Sequence, residues 1–308
     1  MSNIITTANF RRRVLPILDR SFDDHTAKGP EEWKSWYDVE DGAAAAFEEE
    51  SGLTGFGLPT ELGEGEAITY DIAKDGFVTR FLWSEFGSGF KITKRMIEDG
   101  QGESLTTKLS KMLGVSFREA RELIHAYLLN SAFTRVRPDF DKKPIIATDH
   151  PMAGFGMGGQ VWSNRLPDAQ FSEAALEDAD IFISKATDQR GLKISLKAKD
   201  IVIPSELKYD AVRILRSNGQ VNTPNNTANA LKIEGTYGTD AKVLRYLTSS
   251  TAWFIMTDAD RGFIHKTRNA LERGMHGDFE TGNTAYKATE RYGVNIGDVH
   301  KVYGSVGA

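Results

Sequence analysis

The sequence lacks cysteine and long apolar runs, and each absence excludes a class of protein. Without cysteine, the 308 residues cannot form disulfides or thiolate metal sites, which suits a reducing cytoplasm. No apolar run approaches the roughly 20 residues that a membrane span requires. The start of the chain has no apolar signal core either, because Arg11-Arg12-Arg13 follows polar residues. We therefore expect a soluble protein that is made and kept in the cytosol.

An excess of positive charge is also missing. The formal net charge is −5, whereas a surface that binds phosphate groups has to be basic. The sequence therefore argues against a dedicated nucleic-acid-binding protein. Hydrophobic residues make up 40% of the chain and charged residues 26%, which is typical of a soluble globular protein with one large domain or two modest ones.

The longest regular pattern is a helical one from Ser104 to Phe133. Its apolar residues recur at steps of three and four: Phe117, Ala120, Ile124, Tyr127, Leu128 and Ala132. Four polar residues fall off that stripe: Arg118, Arg121, Glu122 and His125. Ser116 followed by Glu119 has the form of a capping box, which predicts that a helix starts or restarts there. If Gly114 only bends the helix, the stretch is one rod of roughly 45 Å; two helices joined at Gly114 are the alternative.

The clearest short-range signal is a β-hairpin over residues 66–83. Asp75-Gly76 is a favoured type I′ turn between two alternating runs. Folding about this turn predicts three cross-strand pairs: Tyr70 with Phe81, Ile68 with Trp83, and Asp71 with Arg80. One face is then apolar and aromatic, and the other carries an opposite-charge pair. Because a lone hairpin is marginal in water, its apolar face requires a cover from elsewhere.

The remaining segments predict an α+β protein. Residues 1–60 are interpreted as an extended arm that needs a surface to lie on, with one amphipathic helix near Phe22. Further on, a helix capped by Ser172 is followed by a strand at 201–203 and a second helix. Strand-like runs follow at 230–234, 242–247, 252–257, 263–267 and 285–292. The sheet elements therefore gather in two separate regions of the sequence, as in the α+β class.

Two motifs resemble catalytic ones. Gly154 to Gly159 matches the dinucleotide pattern G-x-G-x-x-G, but that pattern works only between a strand and a helix start, and we interpret the segment as a mobile loop. Asp149 and His150 have the chemistry of an acid–base pair or of two metal ligands. Adjacent residues generally point apart, so we favour a hydrogen-bonding role for His150. We predict no catalytic residue, no cofactor and no metal site.

The order of these parts resembles the major capsid proteins of tailed bacteriophages, which share the Hong Kong ninety-seven fold. The likeness runs from about residue 64 to the end of the chain and is strongest for the Mu-type head-subunit branch. It rests on these segments: Gly65–Tyr70, Phe90–Asp99, Leu128–Phe133, Thr148–Pro151, Ile203-Pro204, the asparagine-rich loop at 219–229, Thr251–Phe254 and Glu290–Gly293.

The resemblance implies five parts. They are an N-terminal arm (1–65), an E-loop hairpin lying over a neighbouring subunit (66–92), a peripheral (P) domain with the spine helix and the glycine-rich loop (93–199), an axial (A) domain (200–275) and a C-terminal strand returning to the P domain (276–308). The implied E-loop contact residues are Ile68, Tyr70, Asp71, Lys74, Asp75, Arg80, Phe81 and Trp83. Those of the spine helix are Phe117, Ile124, Tyr127 and Leu128.

The resemblance also implies a function. Hexamers and pentamers of the chain would form an icosahedral head shell around double-stranded DNA, without sequence-specific DNA binding and without a membrane. Because sixty N-terminal residues are too few for an internal scaffold, a separate scaffolding protein is implied, together with a portal protein and a possible decoration protein. Assembly would take place in the host bacterial cytoplasm, and the product would be the capsid of the virion.

Two alternatives stay open at this point. An encapsulin-type nanocompartment shares the fold and differs by packaging a protein cargo. A soluble hydrolase that uses the loop around Asp149 and His150 belongs to a different class and predicts a small oligomer instead of a shell.

Overall fold

The computed structural model describes residues 7–26, 31–98, 102–152, 158–219, 228–278 and 281–308. Most of the predicted glycine-rich loop and the centre of the asparagine-rich loop lie outside these ranges. The chain forms two compact units. Unit 1 comprises the chain up to Phe47, Leu82–His125 and His265–Val294, and unit 2 comprises Glu48–Phe81, Ala126–Ile264 and Asn295–Ala308. Both contain helices and strands, so the predicted α+β class is confirmed.

Six α-helices and twelve strands are described. The helices are α1 (Thr7–Thr26), α2 (Lys94–Glu98), α3 (Gly102–Asn130), α4 (Glu173–Ser184), α5 (Lys208–Arg216) and α6 (Ala230–Glu234). The strands are β1 (Asp38–Asp41), β2 (Phe47–Leu53), β3 (Asp75–Leu82), β4 (Ser84–Ile92), β5 (His150–Pro151), β6 (Val161–Trp162), β7 (Ala198–Pro204), β8 (Lys242–Leu244), β9 (Trp253–Thr257), β10 (Phe263–Gly277), β11 (Thr284–Ile296) and β12 (Val302–Ser305).

Unit 1 packs helices α1 and α3 on a four-stranded sheet of order β1-β10-β11-β4. Strands β11 and β4 are antiparallel. The buried core of this unit consists of Leu18, Phe22, Leu113, Phe117, Met275, Tyr286 and Ala288. Helix α1 is held further by the Ser110 hydroxyl, which donates to the Leu18 carbonyl at 2.8 Å. The amphipathic helix predicted near Phe22 is therefore confirmed as α1, and its apolar face is covered within its own unit instead of by a surface elsewhere.

Helix α3 is one continuous helix, which decides between the two alternatives left open by the sequence. Gly114 does not break it. A Cβ atom at Gly114 would lie 2.8 Å from the Phe22 carbonyl oxygen and 2.9 Å from Thr26 Oγ1, so this glycine allows α1 to approach closely. The predicted capping box is wrong, because the Ser116 hydroxyl donates back to the Leu113 carbonyl at 2.8 Å, inside the helix.

The apolar stripe of α3 differs from the predicted one. Phe117 and Leu128 are buried, whereas Tyr127 is 51% exposed. Glu122 and His125, which were predicted to lie off the buried face, are themselves buried. The reason is that α3 is covered on more than one side, and residues 31–37 supply polar partners for the second side.

Unit 2 is built on a sheet of order β12-β9-β7-β8, in which only the β7–β8 pair is parallel. Every residue of β9 is buried. Helix α4 begins as predicted, since the Ser172 hydroxyl accepts a hydrogen bond from the Ala175 N–H at 3.2 Å. Residues 230–234 form a helix instead of the predicted strand. Asn229 caps its start, and Gly235 ends it with a left-handed φ of +73°.

The predicted hairpin about Asp75-Gly76 is wrong. Residues 66–74 contain no strand, and Asp75 and Gly76 open β3, whose partner is β2. A type I′ turn requires positive φ at both central residues, and neither residue has it. A Cβ atom at Gly76 would lie 3.0 Å from the Gly52 carbonyl oxygen, so this glycine serves a close approach between β2 and β3.

The C-terminal region divides between the two sheets. Strand β11 belongs to the sheet of unit 1, whereas β12 pairs antiparallel with β9 in unit 2. The predicted return of residues 276–308 to the P domain stays a prediction. Within the described ranges, no helix combines the length and the apolarity that crossing a membrane requires.

Candidate assembly surface

The β2–β3 loop, residues 54–74, presents a series of large apolar side chains to solvent. Leu58 is 77% exposed and Tyr70 is 89% exposed. The other exposed members of the series are Leu53, which is the last residue of β2, and Phe56, Leu62, Ile68 and Ile72. Single exposed apolar residues are normal on a protein surface, but seven in one loop and its edge indicate a candidate site of interaction with another molecule.

The neck of the β2–β3 loop is closed by its two end residues. The Thr54 N–H donates to the Lys74 carbonyl at 3.0 Å, and the Lys74 N–H donates to the Thr54 hydroxyl at 3.0 Å. Thr54 is buried. The loop is therefore a surface excursion whose ends meet, and none of residues 55–74 is buried.

Asp71 organises the interior of the loop. Its carboxylate accepts hydrogen bonds from the Gly57 N–H at 2.7 Å and from the Ile72 N–H at 2.8 Å. It also forms an ion pair with Arg190. The hydrogen bond from Arg190, together with those two backbone donors, lowers the pKa of Asp71 to about 2. One carboxylate thus joins two distant parts of the loop and ties them to the segment around Arg190.

Strands β2 and β3, which carry the loop and are called its stem, are fixed within unit 2 by polar contacts. Arg80 on β3 donates from Nε to Glu49 on β2 at 2.7 Å. The Arg80 N–H donates to the Asp139 carboxylate at 3.2 Å, and Asn295 Nδ2 donates to the same carboxylate at 2.9 Å. Phe81 is 1% exposed. The stem is thus anchored, whereas the loop above it is apolar and solvated.

The structure places the predicted E-loop residues in different settings. Ile68, Tyr70 and Asp71 lie in the exposed loop, and Lys74 lies at its neck. Asp75, Arg80 and Phe81 belong to β3, and Trp83 follows it, half-buried, with its indole N–H donating to the Ala45 carbonyl at 3.0 Å. None of the three predicted cross-strand pairs forms: Asp71 pairs with Arg190, Arg80 with Glu49, and residues 66–74 are not a strand.

Sequence reasoning missed the first half of this surface. Leu53, Phe56, Leu58 and Leu62 stand in a stretch that was interpreted only as part of the N-terminal arm. The signal that would have found them is the repeated alternation of a large apolar residue with glycine or proline, as in Phe56-Gly57-Leu58-Pro59. Such residues cannot build a helix or a strand face that packs on its own core.

The Asp149–His150 pair does not form an acid–base site. His150 is buried, with Nδ1 at 2.5 Å from the Asp141 carboxylate and Nε2 at 3.0 Å from Asn164 Oδ1. Asp149 is exposed and paired with Lys143, and the hydrogen bond from Lys143 lowers the pKa of the Asp149 carboxyl. The predicted hydrogen-bonding role of His150 is therefore confirmed. Among the described residues, no group of three or more His, Asp or Glu side chains is placed to hold a metal ion.

A cavity of about 790 Å³ lies beside the stem in unit 2. Its lining includes Phe77 and Phe140 together with several charged residues. Four of these residues form two pairs: Arg261 Nε donates to Glu50 at 3.1 Å, and His300 Nδ1 lies 2.8 Å from Asp298. The lining therefore includes structural pairs of charged side chains beside apolar ones.

Comparison with known proteins relates this architecture to capsids. A family model described as phage capsid protein matches residues 79–303. No curated protein sequence matches the chain. A chain of Mycobacterium phage Patience is 9% identical with a TM-score of 0.55, covering 98% of this chain and 88% of that one. The capsid of Myoviridae phage XM1 is 12% identical with a TM-score of 0.52, covering 89% and 90%. A virus-like particle from Pyrococcus furiosus is 12% identical with a TM-score of 0.50, covering 95% and 99%. At these identities the likeness shows a shared fold.

Proposed function

The chain belongs to the phage capsid protein family, and we propose from this premise how its copies meet in the shell. It is a major capsid protein of the Hong Kong ninety-seven fold, a structural protein without enzymatic function that forms an icosahedral head shell. The proposal concerns the E-loop. We place this role in residues 54–74, the β2–β3 loop, instead of residues 66–92.

The β2–β3 loop is proposed to lie on an adjacent copy of the chain. The observation that carries this proposal is the series of seven exposed large apolar side chains between Leu53 and Ile72. Each such side chain that becomes buried at a subunit contact stabilises it by about 1.5–3 kcal/mol, and the contact repeats around the shell. Ile68 and Tyr70 keep their predicted contact role, whereas Phe81 loses it because it is already buried.

The charged residues of the loop predict the composition of the surface that receives it on the adjacent copy. Three exposed glutamates, Glu61, Glu64 and Glu66, stand among the apolar residues, and Lys74 at the neck is the loop's one basic side chain. Opposite charges across an interface steer association and fix its register. The receiving surface on the adjacent copy is therefore proposed to be apolar at its centre and basic at its rim.

Membership of the phage capsid protein family also leads to proposals about the finer features of the shell. Hexamers and pentamers would build the shell, with residues 200–275 gathered around their axes and a separate scaffolding protein, a portal protein and a possible decoration protein as partners. The shell would assemble in the host cytoplasm and enclose double-stranded DNA without reading its sequence. The net charge of −5 supports the last point, because an acidic wall does not retain the genome. The Mu-type branch stays a prediction.

The test is to replace residues 56–72 with a short glycine–serine linker that joins the two sides of the closed neck. We expect the variant to fold, by circular dichroism, and to fail to close shells, by negative-stain electron microscopy. The matched variant keeps the apolar residues and changes Glu61, Glu64 and Glu66 to Gln. It should form shells, more slowly and with a weaker salt dependence. Normal shells from the linker variant would contradict the E-loop assignment, and global unfolding would mean that the loop belongs to its own subunit's core.

The encapsulin alternative is not favoured, because the family match is to phage capsid proteins. The contents of purified shells distinguish the two functions. A head shell filled during infection contains double-stranded DNA, whereas a compartment contains a protein cargo that co-purifies at constant stoichiometry after nuclease treatment.

A further inference from the structure

Two buried histidines face each other in unit 1, beneath a strap formed by residues 31–43. His125 lies on α3 and His265 on β10, and His125 Nε2 is 2.9 Å from His265 Nδ1. Both side chains are buried. Neither histidine belongs to the assembly surface, and a polar pair in this position requires a reason of its own.

The hydrogen-bond partners determine where the protons are. His125 Nδ1 lies 2.6 Å from the Arg121 carbonyl, which only accepts, so Nδ1 carries a proton. In a neutral ring, His125 Nε2 is then an acceptor, and His265 Nδ1 donates to it. His265 Nε2 accepts in turn from the Thr267 hydroxyl at 3.2 Å. Hydrogen bonds thus run from the Thr267 hydroxyl through both rings to the Arg121 carbonyl, and every ring nitrogen has a partner when both histidines are neutral. A further proton on His125 Nε2 would direct two N–H groups at each other.

The strap closes over this pair with aromatic rings. The Trp33 ring stacks on His125 with ring centroids 4.1 Å apart and lies 4.8 Å from His265. The Tyr37 hydroxyl donates to the His125 carbonyl at 3.1 Å. The strap is also tied to α3 by the Glu122 carboxylate, which accepts from the Glu32 N–H at 2.7 Å and from the Trp33 N–H at 3.3 Å. Among the described residues the buried Trp33 indole N–H has no hydrogen-bond partner, which weakens the closed state.

We propose that residues 31–43 are a proton-sensitive cover: they stay closed while His125 and His265 are both neutral, and they open when this pair takes up protons. An imidazolium in this site would lose its water and lie beside the guanidinium of Arg121, and a proton added to His125 Nε2 would also meet the His265 N–H instead of an acceptor. Opening relieves all three because it returns the rings to solvent. The hydrogen bonds from the strap to the Glu122 carboxylate and to the His125 carbonyl break at the same time.

The charged groups around the pair act in different directions. Facing it from the strap, α3, β10 and β11 are Glu31, Glu32, Lys34, Glu40, Asp41, Arg121, Glu122, Lys266 and Glu290, with the phenols of Tyr37 and Tyr292. Burial raises the pKa of both phenols, so they stay neutral at acid pH. Hydrogen bonding to Glu290 helps keep Arg121 charged. Burial also raises the pKa of Glu122, so protonation of this carboxyl favours the closed state and partly opposes the histidines.

The direction of the pH effect follows from these protonation states. Burial lowers the pKa of His125 to about 3 and that of His265 to about 4, whereas each ring in the open state has its ordinary value near 6.5. Between these values the open state binds more protons. The closed strap is therefore stable above about pH 6.5 and loses stability as the pH falls towards 4. The opening constant rises by up to about 10-fold per pH unit for each histidine, and by up to about 100-fold for both.

The test is hydrogen–deuterium exchange of the full chain between pH 7.5 and 4, corrected for the intrinsic exchange rates. Peptides covering residues 31–43 should lose protection by 10- to 100-fold per pH unit below pH 6.5. Peptides covering β9 in unit 2 should keep theirs. His265→Asn retains an N–H donor for His125 Nε2 and removes one titrating ring, so its slope should be at most 10-fold per unit. His276→Asn, on the exposed part of the same strand, should retain the wild-type slope.

Three results would overturn the proposal. The first is strap protection that does not fall with pH. The second is a wild-type slope in His265→Asn together with normal protection at neutral pH. The third is loss of protection in β9 at the same pH as in the strap, which would indicate global acid unfolding. If His265→Asn does not fold, the wild-type slope of the strap relative to β9 decides the question by itself.

Discussion

Helix α1 and the β2–β3 loop are two apolar segments for which the sequence predicts no cover within the subunit. The structure separates them. Leu18 and Phe22 of α1 are completely buried in the core of unit 1, whereas Leu58 and Tyr70 of the loop remain exposed. Both segments have enough apolar area to require burial, so hydrophobicity by itself does not indicate whether a segment packs within its own chain or against another copy.

The spacing of the apolar residues explains the difference. In α1 they return at helical intervals and form one face, which α3 covers along the line where Gly114 permits a close approach. In the loop they alternate with glycine, proline and glutamate, and no regular face results. A segment of this kind stays solvated in the free subunit and becomes buried only against a surface that is complementary to it.

The largest expected effect on the free energy of unfolding is in helix α1. Phe22→Ala should reduce the free energy of unfolding of the dissociated subunit by about 3–5 kcal/mol, because it opens a cavity beside Phe117. Urea denaturation followed by circular dichroism measures this loss. Ile17→Ala, on the exposed side of the same helix, is the control and should change it by about 0.5 kcal/mol or less. Equal losses in the two variants would mean that α1 is not packed as described.

A smaller loss is expected at the crossing point of α1 and α3. Alanine favours a helix over glycine by about 1 kcal/mol, but the Cβ atom of Gly114→Ala would meet the Phe22 carbonyl at 2.8 Å. Overpacking of this kind costs about 1–3 kcal/mol, so the net change should be a destabilisation of about 1 kcal/mol. Ser116→Ala, exposed on the same helix, should leave the urea midpoint almost unchanged. A stabilised Gly114→Ala variant would show that α1 does not approach α3 so closely.

The smallest effect on stability, with the largest effect on assembly, is expected in the loop. Leu58→Ser with Tyr70→Ser should change the free energy of unfolding by about 0.5 kcal/mol or less, because both side chains are exposed. The same double variant should form few closed shells in negative-stain micrographs. Leu58→Met with Tyr70→Phe keeps the apolar area and should assemble normally. If the serine variant assembles as well as this control, the loop does not supply the contact.

Periodicity predicted most of the regular elements, and long-range contacts account for the main errors. The stripe in α3 predicted a helix correctly but not the burial of Glu122 and His125, because their partners lie about 90 residues earlier in the chain. Asp75-Gly76 was misread as a turn because a local pattern cannot show that Gly76 approaches Gly52. The capsid fold itself was predicted from the order of weak segments, and the family match confirms it.

The closed neck of the β2–β3 loop has a consequence for how such shells diversify. Because Thr54 and Lys74 hydrogen-bond to each other, the strands below do not depend on how many residues separate them. Lengthening a flexible loop is inexpensive in free energy, at about 0.6 kcal/mol for each doubling of its length. If the loop has the proposed contact role, insertions and deletions at this point change the reach between neighbouring subunits and leave the subunit fold intact. The neck is then a position where evolution, or a designer who displays a foreign peptide, can alter the lattice without altering its building block.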